Sequence, residues 1–137
     1  MEAIARRSLF ALLFSSTEDE LREILAAMAT DLSEGNISGF LNHVDKNLPA
    51  RDEFRQQLVG MVQAADHNSS IQIQTASGTA EKQVAKVDWY LDFRSKGDSM
   101  IFHQQREVLT IEFTKRGKRW MITALEPRAF FTQPAKR

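Results

Sequence analysis

The sequence predicts an α+β fold, with three N-terminal helices packed on the concave face of a curved antiparallel four-stranded sheet. Three observations carry that prediction. Apolar residues recur at spacings of three and four as far as Ala65. From Ile71 onward the period becomes two. Turns at Gly78, Gly97 and Gly117 then divide the alternating segments into a meander. A chain of 137 residues is the size of one domain.

Each element follows in order. Ser16-Thr17 with Asp19 and Glu20 reads as a capping box. Leu21, Ile24, Leu25, Met28 and Leu32 then form one apolar stripe on a helix that Gly35-Asn36 ends. Ile37, Phe40, Leu41 and Val44 make a short second helix, and Asn47-Leu48-Pro49 breaks it. The third helix opens on Asp52-Glu53, acidic residues suited to a first turn, and carries Phe54, Leu58, Met61, Val62 and Ala65. Asp66 to Ser70 reads as a polar turn, with His67 on the surface. His43 also reads as a surface residue.

Ile71 and Ile73 begin the first strand. Ala85, Val87, Trp89, Leu91 and Phe93 alternate with polar residues in the second, so one face is buried and one is wet. Lys96-Gly97-Asp98 is the next turn. Leu109, Ile111 and Phe113 mark the third strand. Trp120, Ile122 and Ala124 mark the fourth, which Pro127 terminates.

The first 15 residues stand apart as an N-terminal arm or a signal-like segment, with the domain running over 16–137. Arg6-Arg7 before Leu9 to Phe14 resembles a basic region and a short apolar core. A cytoplasmic location is expected, or an exported one if this segment is a signal remnant. No apolar run approaches the ~20 residues a membrane span needs. Eighteen basic residues balance eighteen acidic ones, which gives no electrostatic footprint for nucleic acid. There is no cysteine, and three scattered histidines give no metal-ligand spacing. No cofactor is expected.

The helices, the Val-Asp-Trp-Tyr-Leu strand at Val87 to Leu91 and the closing Gly-Lys-Arg-Trp-Met-Ile at Gly117 to Ile122 are similar to the nuclear transport factor 2-like superfamily. That cone fold also holds ketosteroid isomerase, scytalone dehydratase and SnoaL-type cyclases. The resemblance covers about Ser16 to Phe131. It implies a cavity between helices and sheet and a homodimer formed through the sheet. It says little of function, because the fold hosts enzymes, carriers and assembly modules.

Turn geometry supplies a register. A two-residue loop at Arg116-Gly117 sets Phe113 against Trp120, Ile111 against Ile122 and Leu109 against Ala124. Glu107 then faces Glu126, and Gln105 approaches Arg128. In the preceding hairpin, Val87 meets Leu109, Trp89 meets Glu107, Leu91 meets Gln105 and Phe93 meets His103. The inward face therefore gathers Trp89, Leu91, Phe93, His103, Gln105, Glu107, Glu126 and Arg128, a candidate site for a small apolar or amphipathic ligand. Glu107 or His103 is the candidate general base.

Two function classes follow. One is a non-enzymatic small-molecule-binding or assembly module. The other is a cofactor-free lyase or isomerase of SnoaL or ketosteroid-isomerase type. Ketosteroid isomerase-like sites use a tyrosine and a protonated aspartic acid. Here Tyr90 and Asp88 fall on the outer face. Lys86, Asp88, Tyr90, Asp92, Arg94, Gln104, Arg106 and Thr110 share that face, which mixes charges as a two-fold interface can.

Overall fold

The computed structural model describes residues 2–96 and 102–132, with side chains described over 17–96 and 103–132. Helix α1 spans Glu2–Ser33, α2 Ile37–Leu41 and α3 Arg51–Ala64. Strands β1 (Ala65–Gly78), β2 (Lys82–Ser95), β3 (Phe102–Arg116) and β4 (Arg119–Glu126) follow. They form one antiparallel sheet in the order β1-β2-β3-β4. A 3₁₀ helix at Arg128–Phe131 closes the described chain.

The helical stripe is where the spacing puts it. Leu21, Leu25, Met28 and Leu32 of α1 are all buried. The helix does not start at the Ser16-Thr17 capping signature but runs through it from Glu2. An apolar stripe and a cap motif are compatible with a start, and the cap motif is also compatible with mid-helix positions when the preceding residues favour helix. Gly35, at φ +72°, and Asn36 terminate α1, and the Asn36 side chain then accepts the Gly39 amide at 3.0 Å to cap α2.

Two sheet expectations need correction. The polar stretch Asp66 to Ser70 is not a turn. It is the first part of β1, paired residue by residue with Arg94 to Tyr90 of β2. Helix α3 ends at Ala64 and the chain enters the strand directly, so polar side chains here occupy a half-wet strand rather than a loop. The β3–β4 loop is Gly117-Lys118 rather than Arg116-Gly117, with Arg116 opposite Arg119. Gly117 supplies the left-handed φ of +65° that the turn requires. Phe113 therefore faces Ile122, and Lys115 faces Trp120. A bulge between Glu112 and Phe113 then shifts the ladder so that Ile111 meets Leu125. Leu125, not Ala124, is the buried residue at that end. The β2–β3 register agrees with expectation at Val87–Leu109, Trp89–Glu107, Leu91–Gln105 and Phe93–His103. The expected Lys96-Gly97-Asp98 turn lies mostly outside the described residues.

The segment after α2 closes the far side of the sheet. Val44 bridges Ile122 in parallel, the Asp45 amide donates to the Ile122 carbonyl at 2.8 Å, and the Ile122 amide donates to the His43 carbonyl at 2.8 Å. Asp45 is buried and accepts from Arg116 Nε at 2.9 Å and from the Asn47 amide at 2.9 Å. These bonds hold its carboxyl below the usual carboxylate range, the Asn47 amide contributing most and Arg116 next.

Candidate functional site

Alternation along β2 aims Trp89, Leu91 and Phe93 into the cone, and all three are buried. What they meet is protein. After Pro127 the chain turns inward and delivers Phe130 and Phe131 beneath the sheet, 1% and 0% exposed. Phe131 stands edge-to-face with Trp89 at 5.0 Å, Phe40 at 5.8 Å, Phe54 at 5.9 Å and Phe130 at 5.2 Å. Such edge-to-face contacts add ~0.5–1.5 kcal/mol per pair beyond burial.

Polar side chains latch this aromatic wedge. Gln57 of α3 donates from Nε2 to the carbonyls of Arg128 and Phe131, at 2.6 and 2.8 Å. Gln105 of β3 donates to the Phe130 carbonyl at 2.6 Å. A 3₁₀ turn leaves carbonyls without helical partners, and these two glutamines satisfy them. Trp89 Nε1 donates to Ser69 Oγ at 3.1 Å.

The remaining candidate residues do not converge. His103 and Glu107 lie on the inward register of β3, on either side of Gln105, yet both are exposed. Glu126 is exposed and faces Thr110, because the loop shift and the bulge carry it past Glu107. Arg128 turns to α3, with Nη1 on the Pro49 carbonyl and its guanidinium 5.8 Å from the Phe54 ring centre. The expected Glu107–Glu126–Arg128 cluster is absent. Gln57 and the Phe130-Phe131 wedge were not foreseen. The only signal for the wedge was the apolar doublet Phe130-Phe131, three residues after Pro127, and nothing marked Gln57.

His67 is also corrected. It is 6% exposed, with Nε2 2.9 Å from the Met61 carbonyl and its ring 4.9 Å from Phe93, edge-on. Its Nδ1 is buried without a partner. Burial pushes the imidazole below its ordinary value, partly offset by the bond to Met61. His43 is half-buried and is shifted the same way by burial.

On the outer face, Arg106 grips Asp88 through two bonds, Nε to Oδ1 at 3.0 Å and Nη2 to Oδ2 at 2.5 Å. That bond holds the Asp88 carboxyl below the usual range, and desolvation together with Asp92 raises the Tyr90 phenol. Hollows open on the described surface at several places. One of about 310 Å³ lies beside Trp120, between Glu23, His43 and Arg119. One of about 240 Å³ lies between α1 and the inner side of β1. Another, of about 490 Å³, lies on the outer side of β1 against Asp88, Tyr90 and Arg106. Among the described residues no cluster of His, Asp and Glu could hold a metal ion, and no helix is long and apolar enough to cross a membrane.

No protein-family model and no curated protein matches the sequence. Solved structures do match the fold. A conserved protein from Planctomyces limnophilus superposes with a TM-score of 0.72 at 8% identity, over 80% of this chain and 92% of that one. A Streptomyces avermitilis protein named as a dehydratase of the NTF2-like family gives 0.64 at 11% identity, over 81% and 94%. A Xanthomonas campestris protein named as a calcium/calmodulin dependent protein kinase II association domain gives 0.60 at 12%, over 77% and 82%. At such identities the likeness speaks for fold alone. Helices packed on a four-stranded antiparallel sheet, with structural neighbours of this kind, give the chain the α+β cone fold seen in nuclear transport factor 2-like proteins.

Proposed function

We propose that this protein is a non-enzymatic assembly module that acts by self-association through its sheet. One observation carries the reading: the volume where a cone-fold ligand would sit is filled by the chain's own Phe130 and Phe131 against Trp89, Phe40 and Phe54. On this reading Gln105, Gln57 and Arg128 are latches of the wedge rather than ligand contacts, and His103, Glu107 and Glu126 belong to the wet rim. The Xanthomonas protein named as an association domain is consistent with assembly on this fold.

A lyase or isomerase reading would need Glu107 or His103 beside a substrate and an oxyanion donor facing it. Tyr90 and Asp88 lie on the outer register, and Asp88 is already held by Arg106. Native mass spectrometry of freshly purified protein tests the choice. The expected spectrum shows two copies of the 15.6 kDa chain and no bound small molecule. A retained small molecule that disappears in Glu107→Gln would overturn the proposal in favour of a ligand site.

A further inference from the structure

Of the two outer strands of the sheet, only β4 has its free edge bridged among the described residues. The edge of β4 is met at Ile122 by the 43–45 segment. On β1, no backbone hydrogen bond among the described residues reaches the edge away from β2. That edge is 14 residues long, and open edges of this length are ordinarily protected by charge, proline or a covering element. Here residues 67–80 contain no Lys, Arg, Asp, Glu or Pro.

The same edge is flanked by a hollow on each side. Leu25, Ala26 and Ala29 of α1 with Ile71 and Ile73 line the inner one, with Arg22 also on its wall. Ser70 and Gln72 with Tyr90 line the outer one. Ile71 and Ile73 are only partly buried in the isolated chain, although both belong to the margin of the core. An added strand with apolar residues inward and polar residues outward would fill both hollows, since alternate side chains go to opposite faces.

We propose that β1 pairs antiparallel with β1 of a second copy about a two-fold axis, giving a continuous eight-stranded sheet. This rests on the assembly reading above and names the surface it uses. Two arguments choose a second copy over another extended segment. First, Ile71-Gln72-Ile73-Gln74 already has the alternation the two hollows require. Second, a two-fold contact sets each residue near its own counterpart, so any charge close to the axis would meet a like charge. The uncharged run meets that requirement. Residues directly opposite one another must share a face, so the axis passes through a residue rather than between two. Placing it at Ile71, the middle of the three β1 residues that line the inner hollow, sets Ser70 opposite the second copy's Gln72 and Ser69 opposite its Ile73. Gln74, the extra residue at the β1 bulge, limits the pairing on that side.

The test uses two exposed positions on the outer side, Ser70 and Gln72. Sedimentation velocity is run on the full chain, on S70K/Q72K, on S70E/Q72E and on an equimolar mixture of the two variants, with far-UV circular dichroism to check folding. The unaltered chain should sediment as a dimer. Each variant alone should be monomeric, with dimerisation weakened by about 10-fold or more. The mixture should recover the dimer. If both variants stay dimeric, the edge proposal is overturned while assembly stands, and the contact moves to the outer face around Tyr90. A monomeric unaltered chain overturns both, and leaves the edge to an extended peptide from another protein. Failure of the mixture to recover overturns the two-fold register. Hydrogen exchange on the unaltered chain decides the case if a variant misfolds. Amides of 69–73 should become more protected as concentration rises, and concentration-independent exchange there counts against the pairing.

Discussion

Glu107 shows how one side chain can look functional in a sequence and be peripheral in the fold. It sits on the inward register opposite Trp89, yet it is exposed and its expected partners point elsewhere. Glu107→Gln should change stability by less than about 0.5 kcal/mol, read as an unchanged urea midpoint. His67 shows the reverse: it stands in a polar stretch yet is buried against Phe93. Its folded pKa lies below its unfolded value of about 6.5. The unfolded chain therefore takes up the proton first, so stability is full above that value and falls as pH drops through it. His43 is shifted in the same direction and adds to the slope. Asp45 acts only in stronger acid, since a depressed carboxylate loses its contribution as pH falls below about 3.9. Thermal melts at pH 7 and pH 5 should differ for the unaltered chain and differ less for His67→Phe. That variant keeps the ring contact and removes the buried Nδ1. At Gly117 a Cβ would meet nothing within 4 Å, so Gly117→Ala should cost only the left-handed strain, about 1 kcal/mol, measured by the same denaturation.

At the scale of elements, the helices and the β2–β3 hairpin were legible because burial follows a fixed period in both. Ten alternating residues from Ala85 to Arg94 allow one face assignment, and matching that face against Leu109 fixes the pairing. The β3–β4 hairpin was not legible to the residue. Lys115, Arg116, Lys118 and Arg119 are all polar, so pattern cannot choose between loops one residue apart, and the bulge at Glu112 has no sequence signature of its own. The candidate site depended on that register, so Glu126 and Arg128 were misplaced with it. β1 was half legible, since Ile71 and Ile73 alternate while Asp66 to Ser70 offer no apolar residue to count. The wedge was illegible because a four-residue 3₁₀ helix has no period to detect. Its energetic weight can be measured. Phe131→Ala should cost about 3–5 kcal/mol, and Phe130→Ala a similar amount, because each leaves a void among rings that cannot all move in. Urea unfolding gives the number. If the core is as filled as the ring distances indicate, Phe131→Ala should also gain binding of a small aromatic such as benzene.

Across the whole molecule, the architecture was within reach of the sequence because a change of period from 3.6 to 2 near Ala65 divides it into two layers. Whether the hollow between the layers is empty was not, since that depends on where six residues after β4 go. Net charge of zero likewise bounds partners without naming one. The Asp45–Arg116 pair lies beside the β3–β4 turn and the Asp88–Arg106 pair across the middle of β2 and β3, and the second is largely solvated on its arginine side. Stability should therefore respond weakly to salt, and a melt in 1 M sodium chloride should shift little apart from general salt effects.

The clamp of residues 43–45 on β4 has a consequence for how far association can proceed. A sheet with two bare sides can add copies indefinitely, head to tail, and grow into a fibre. Here the loop after α2 spends its backbone groups on Ile122 and interrupts the β4 edge at its middle, so among the described residues only β1 carries an uninterrupted bare edge. Once β1 is used, the interrupted β4 edge offers no continuous ladder, and the count is expected to stop at two. Light scattering should accordingly plateau at the dimer mass as concentration rises. Cutting the clamp, for example with Asp45→Pro to remove the amide that donates to the Ile122 carbonyl, should convert a closed pair into open-ended aggregation.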